Sequence, residues 1–325
     1  MTVLVTGGAG YIGSHMTYAL TDRGERVVVL DNLSTGNRSL VSEKATLVEG
    51  DIGDEELLKR TMREHAIDAV INFAGFIVVP ESVAQPLRYY LNNTVKTRTL
   101  VDACVQEGVK HFLFSSTATV YSVDAKQPLA EDEPKNPISP YARSKLMTEW
   151  MLEDAAKAHD FRPMVLRYFN VAGADPKGRT GQSTPNATHL IKVASQVALG
   201  RRPQLDLFGT DYPTPDGTCV RDYIHVSDLV AAHLLALDAL RAGAAPDTYN
   251  VGYGRGLSVR EVIAGMEAVI GRKLPVLEQG RRPGDPPTLI SDPTRLKTDL
   301  GWVPQHADLE AIIRSALAWE RRFNS

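Results

Sequence analysis

A chain of 325 residues with 43% hydrophobic content is long enough to bury a large core in one or two domains. Its formal net charge of −3 gives no bulk electrostatic reason for a nucleic-acid or membrane partner, and no apolar run reaches the ~20 residues that a membrane helix needs. Two cysteines, Cys104 and Cys219, make no disulfide framework, no Cys/His cluster has zinc spacing, and a strand from residue 3 argues against a signal peptide, so a metal-free protein of the reducing cytoplasm is expected.

Val3–Val5 is a short apolar run of the kind that makes a strand buried on both faces. Glycines follow at 7, 10 and 13, and Ser14–Leu20 reads as a helix. A strand, a glycine turn and a helix start place backbone N–H groups at the positive end of a helix, where a phosphate can sit. Gly7 permits the tight turn, Gly10 keeps no side chain in the way of a pyrophosphate, and Gly13 lets the helix approach the sheet. Arg26–Asp31 is a second buried strand, and its terminal acid stands 18 residues after Gly13. An acid at that distance accepts hydrogen bonds from an adenosine ribose and repels a 2′-phosphate, so NAD is expected rather than NADP.

Ala45–Glu49 reads as a third strand, and Asp51 beyond it can accept from an adenine amino group. Glu55–His65 is helical, Ala69–Gly75 is a fourth strand running into a glycine turn, and a helix is expected from about Pro86 to Gly108. His111–Phe114 is a fifth strand ending in Ser115-Ser116-Thr117. Residues 125–140 read as a surface loop, Tyr141–Ala158 as a long helix and Pro163–Arg167 as a strand leading to Tyr168. Beyond Gly173 the pattern changes: 175–185 is loop, 187–199 helix and 206–216 irregular, followed by helices at 228–241, 258–270 and 308–323 and a short strand at 248–251. Five strand–helix alternations imply an α/β fold of Rossmann type: a doubly wound parallel sheet with a smaller α/β substrate lobe. The expected division is 1–173 for the cofactor, with a returning segment around 217–254, and 174–325 for the substrate.

Tyr141 and Lys145 stand four apart at a helix start and so share a face. A nearby ammonium stabilises a phenolate, and a tyrosine so tuned is a general base for a hydroxyl carbon. The hydroxyls of Ser115, Ser116 and Thr117 lie at the mouth of the same crevice, where one can hydrogen-bond the substrate oxygen.

Longer motifs accompany these residues: TGGAGYIGSH at 6–15, LDNLSTG at 30–36, EGDI at 49–52, INFAG at 71–75, FSSTATVY at 114–121, SPYARSKLMTE at 139–149, LRYFNVAGADP at 166–176, FGTDYPTPDGTCVRDYIHV at 208–226 and RRPGD at 281–285. Over nearly the whole chain they resemble the extended short-chain dehydrogenases/reductases, and closely the UDP-glucose 4-epimerases within them. The resemblance implies Tyr141 as base, Lys145 as the residue that holds the nicotinamide ribose and tunes it, and Thr117 as the third catalytic group. It implies a cofactor site of Gly7, Gly10, Tyr11, Ile12, Gly13, Asp31, Asn32, Asp51, Ile52, Phe73, Ala74, Gly75, Asn92, Ser115, Tyr141, Lys145 and Tyr168. It implies that Thr117, Asn170, His189, Phe208, Arg221, Arg282 and Asp285 grip UDP-glucose or UDP-galactose, and that Leu289 faces the hexose. Two arginines suit a diphosphate, because a guanidinium fork binds phosphate oxygens in pairs. A homodimer through the helices at 86–108 and 141–158 is implied as well. The chain departs from the family pattern at Ile77, where many members carry Lys, at Lys96-Thr97, where Gly-Thr is usual, and at Ser122. A 4,6-dehydratase would want an acid and a base after Thr117, and Ala118-Thr119 supply neither.

Overall fold

The computed structural model describes residues 1–184, 187–282 and 285–323. Its strands are β1 (Thr2–Thr6), β2 (Arg26–Asp31), β3 (Thr46–Glu49), β4 (Ala69–Asn72), β5 (His111–Thr117), β6 (Arg162–Tyr168), β7 (Asn170–Ala172), β8 (Leu205–Phe208), β9 (Val220–His225), β10 (Asp247–Val251), β11 (Gly256–Ser258), β12 (Val276–Gln279) and β13 (Thr288–Leu289). Seven of them form one sheet in the order β3-β2-β1-β4-β5-β6-β10, with every neighbouring pair parallel. The order reverses beside β1, so the strands' C-terminal ends open a crevice between β1 and β4 where ligands of such sheets bind.

Successive strand side chains leave on opposite faces, and both faces are covered. Val3, Val5, Val27, Val29, Ile71, Leu113 and Leu166 enter one core. The residues between them (Leu4, Val28, Leu30, Val70, Phe112, Phe114 and Val165) enter the other. The first core is closed by α1 (Tyr11–Asp22) and, from far along the chain, by α8 (Val226–Arg241). The second is closed by α2 (Glu55–His65), α5 (Lys96–Gln106) and α6 (Pro140–Ala158). Between α2 and α5 lie two short helices, α3 (Val79–Ala84) and α4 (Pro86–Tyr89), while α7 (Leu190–Ala198) precedes β8. The remaining helices are α9 (Val259–Ile270), α10 (Thr294–Leu300) and α11 (Leu309–Phe323).

Helix starts follow the local sequence. Asp54 caps α2 by accepting from Leu57 N at 3.0 Å, with Glu55 and Glu56 in the first turn. Ser139 caps α6 through Ala142 N at 3.2 Å, and Pro140 fills its first turn, which fixes Tyr141 at the helix entrance. A third core forms among α7, α9, α11 and β8, from Ala194, Leu205, Leu207, Ile263, Met266, Ile313 and Leu317.

Three segments differ from the sequence reading. Residues 206–216 are not wholly irregular, because β8 pairs with β12 over Leu205–Phe208, and the partner strand is some seventy residues away and invisible to local pattern. The expected helix at 86–108 is interrupted by a π-turn at Tyr90–Val95 and preceded by α3. The segment 125–140 is not a surface loop throughout: Leu129 and Glu131 are buried, and Leu129 bridges Ser291. Pro185 of the expected 175–185 loop, and Pro283 and Gly284 of the RRPGD stretch, lie outside the described residues.

Candidate active site

The turn between β1 and α1 is closed by backbone. A Cβ on Gly13 would stand 2.2 Å from Gly7 O, and one on Gly7, whose φ is +70°, would stand 2.7 Å from Ala74 N. Gly10 N donates to Gly7 O at 3.1 Å. Gly10 is the N-cap of α1, and no side chain caps that end, so the first-turn N–H groups are left for an external acceptor. Asp31 accepts Ala9 N at 2.9 Å and Leu33 N at 2.8 Å. Burial raises its pKa against these two bonds, and the carboxylate keeps lone pairs for hydroxyl donors. A glycine cradle, an uncapped helix start and a buried acid at the end of β2 fit a dinucleotide without a 2′-phosphate.

The remaining residues expected at the cofactor cluster along the same edge. Asp51 accepts Gly53 N at 2.8 Å, Asn32 Nδ2 at 3.0 Å and Lys96 Nζ at 2.7 Å. Burial pushes this carboxyl up, but the three donors outweigh it and hold its pKa below the ordinary value. Ile52 and Ile12 face the apolar cores. Phe73 N donates to Thr6 O at 2.9 Å, and Ala74 N donates to Asn72 Oδ1 at 3.1 Å. Tyr11 reaches across to donate to Gly173 O at 2.6 Å. Asn92 sits in the π-turn and donates to Asn93 Oδ1 at 3.2 Å. Ile77 is exposed, and Lys96 is the cation that this chain places near Asp51.

Tyr141, Lys145 and Thr117 come together at the C-terminal end of β5. Thr117 lies beside Tyr141 and favours its ionised form, while the Thr117 hydroxyl accepts from Thr119 N at 3.2 Å and shares a hydrogen bond with Thr119 Oγ1 at 3.0 Å. Lys145 Nζ donates to Ser115 O at 2.9 Å and lies 4.9 Å from the centre of the Phe114 ring. Tyr168 donates to Ser115 Oγ. In the protein by itself, burial pushes the Tyr141 phenol up to about 12, with Thr117 opposing. The ammonium is spent on a carbonyl, and its own pKa is pushed down to about 8 by burial, with the Glu149 charge opposing.

The residues expected at the nucleotide sugar fall into three groups. Asn170 and His189 line one cleft. Arg221 and Asp285 approach to 3.9 Å, and the Arg282 guanidinium lies 3.7 Å from the centre of the Phe208 ring. Arg221 is buried on β9 rather than solvated. Leu289 pairs with Arg221 in register and packs in a cluster with Tyr121 and Phe169.

Three features of the site were not singled out from sequence. Asn93 accepts from Phe76 N at 2.8 Å and donates to Phe76 O at 3.0 Å and Ser144 Oγ at 3.2 Å, tying the Gly75 turn to α6. A buried asparagine in a π-turn is a recurring mark of functional sites, but only the chain's path reveals the turn. Glu149, two turns beyond Tyr141, accepts from Arg167 Nε at 3.0 Å and Nη2 at 2.6 Å, and from Ser116 Oγ at 2.5 Å. The spacing Tyr141, Lys145, Glu149 was readable as one helix face, but its partner on β6 was not. Gln182 donates to His189 Nδ1 at 2.8 Å.

A family model described as the NAD dependent epimerase/dehydratase family matches residues 3–252. The chain belongs to that family. It is 60% identical to a UDP-glucose 4-epimerase of Azospirillum brasilense, over 98% of this chain and 92% of that protein. Its fold superposes with a TM-score of 0.94 on the UDP-glucose 4-epimerase of Brucella ovis in complex with NAD, at 46% identity over 98% of this chain and 97% of that one. The UDP-glucose 4-epimerase of Bifidobacterium longum in complex with NAD+ and UDP gives a TM-score of 0.94 at 36% identity, covering 99% and 98% of the two chains. No helix among the described residues is long and apolar enough to cross a membrane, and no group of His, Cys, Asp and Glu among them could hold a metal ion.

Proposed function

We propose that this chain is a UDP-glucose 4-epimerase that interconverts UDP-glucose and UDP-galactose. The observation that carries the reading is the Tyr141–Thr117 pair at the end of β5, set beside a glycine cradle suited to a dinucleotide. NAD, when bound, would accept hydride from the sugar's C4 and give it back to the other face, and would supply a positive charge near the phenol. Tyr141 takes the proton of the 4-hydroxyl, and the Thr117 hydroxyl hydrogen-bonds the same oxygen. Lys145, fixed on Ser115 O, holds the nicotinamide ribose. Phe208, Arg221, Arg282 and Asp285 hold the uridine diphosphate, with Asn170 and His189 beside it, while the 4-keto sugar turns about its link to the diphosphate and presents the other face of C4. Tyr141 then returns the proton.

The same reading assigns residues 1–173, with the returning segment around 217–254, to the cofactor and residues 174–325 to the UDP-sugar. The passage of α8 and β10 back into the large sheet supports that assignment. The reading also pairs two copies of the chain. Leu87, Leu91 and Val95 are exposed at a spacing of four on the segment from α4 to the π-turn, and Met147 and Trp150 are exposed on the adjoining α6. A cytoplasmic setting is supported by the two buried free thiols, Cys104 and Cys219.

The test is to incubate the purified protein with UDP-galactose and no added cofactor, and to follow the products by NMR. UDP-glucose is expected, with deuterium placed at C4 of the sugar retained there. Accumulation of a 4-keto-6-deoxy sugar, or wash-out of the C4 label into water, overturns the reading.

A further inference from the structure

Gln182 lines the cleft shared by Asn170 and His189. Gln182 is buried, and its backbone carbonyl is held twice: Lys192 Nζ donates to it at 2.6 Å and Trp319 Nε1 at 3.2 Å. Lys192 is itself anchored on Glu320 Oε2 at 2.5 Å, so the backbone at 182 is fixed by two helices, α7 and α11. From this fixed backbone the Gln182 side-chain amide nitrogen reaches His189 Nδ1 at 2.8 Å. With the Gln182 amide nitrogen assigned to the side facing the ring, Nδ1 is the accepting, unprotonated nitrogen. The proton of the neutral imidazole is then on Nε2. Burial lowers the His189 pKa, which keeps the ring neutral near pH 7.

We propose that Gln182 is a positioning residue that fixes His189 as the Nε2–H tautomer, and that this N–H donates to a diphosphate oxygen of the bound nucleotide sugar. The proposal rests on the UDP-sugar reading above. The opposite tautomer would turn a lone pair towards an anion, which is repulsive. A neutral donor adds a bond to the diphosphate without adding a buried charge to a wall that already carries the Lys192–Glu320 ion pair.

Long-range 1H–15N correlation spectra of the labelled protein test the tautomer, with His189→Asn used to assign the ring, and calorimetric titration with UDP tests the consequence. The wild type is expected to show a protonated Nε2 and an unprotonated Nδ1. Gln182→Leu should mix the tautomers and weaken UDP binding by about tenfold, the loss of one hydrogen bond to a charged group, while NAD content stays at the wild-type level. Gln182→Glu keeps the shape but replaces the donor by a carboxylate. It should move a proton to Nδ1, and UDP should then bind more tightly at pH 6 than at pH 8 as the ring becomes cationic. A protonated Nδ1 in the wild type, or a UDP affinity that Gln182→Leu leaves unchanged, overturns the proposal alone. A wild type that binds NAD but no UDP overturns the UDP-sugar reading and this proposal with it.

Discussion

Tyr141 carries its proton firmly in the protein by itself. Burial pushes the phenol up to about 12, and the single opposing contact is the Thr117 hydroxyl. Positive charge brought near it, such as that of a bound nicotinamide ring, would favour the phenolate. Tyr141→Phe removes the proton acceptor and little volume. Turnover of UDP-galactose should fall by at least about 10²–10⁴-fold, with UDP affinity preserved in a calorimetric titration. A variant within a few-fold of wild type would show that another group is the base. Lys145 is expected to set the alkaline limit. Burial lowers its pKa to about 8 with Glu149 opposing, so the ammonium is present below that pH and lost above it. The rate should therefore decline on an alkaline limb centred near pH 8, and Lys145→Met should be slow at all pH values and lack that limb. A wild-type rate that stays flat to pH 10 would separate Lys145 from the chemistry.

At the scale of elements, α6 is the part that must not move, because Tyr141 and Lys145 both ride on it. It is secured at its start by the Ser139 cap and two turns later by Glu149. Arg167 meets Glu149 through two nitrogens and spends its third on Tyr121 Oη at 2.9 Å and Glu131 O at 3.1 Å. Tyr121 passes the chain of bonds to Asn250 Oδ1 at 2.7 Å, and Asn250 N donates to Glu131 Oε1 at 2.8 Å. One buried network thus joins β5, β6, β10, α6 and the segment around residue 130. Each charge in it is almost wholly removed from water, so deleting one leaves the other uncompensated. Arg167→Met should lower stability by about 3–5 kcal/mol in chemical denaturation. Arg167→Met combined with Glu149→Leu should recover a large part of that loss. A single variant as stable as wild type would mean that the pair is already hydrated and is not what holds α6.

For the whole molecule, the distribution of apolar surface is uneven. Leu87 is 80% exposed and Trp150 55%, and both stand on neighbouring elements packed on one side of the large sheet. Scattered exposed leucines are ordinary, but Leu87, Leu91 and Val95 recur at a spacing of four on a segment packed beside the helix that exposes Met147 and Trp150. A second copy of the same face, related by a two-fold axis, would cover it and form a four-helix contact. In light scattering after gel filtration the wild type is expected as a dimer, and Leu91→Glu with Trp150→Glu as a monomer whose circular dichroism is unchanged. A monomeric wild type at micromolar concentration would refute this. Because α6 carries both the apolar face and Tyr141, the dimer contact would also stiffen the catalytic helix.

The sequence alone determined what depends on short separations. The parallel sheet followed from apolar runs alternating with amphipathic helices, the cofactor edge from three glycines and an acid within 25 residues of chain, and the Tyr141–Lys145 face from a spacing of four. The family's longer motifs, such as RYFN and VRDYIHV, carried the residues proposed to hold the nucleotide sugar, which no local physical rule would have collected. Tertiary structure decided everything that pairs residues far apart. It brought β8 to β12, buried Leu129 against Ser291, set α8 beside α1 on the first face of the large sheet and set Gln182 against His189. It also decided what surrounds the Tyr141 phenol and the Lys145 ammonium. A Lys four residues from a Tyr suggests a lowered phenol pKa, but the outcome depends on burial and on where the ammonium finds its partner. Here Ser115 O takes that hydrogen bond, and desolvation, a property of the packed molecule and of no segment, carries the phenol the other way.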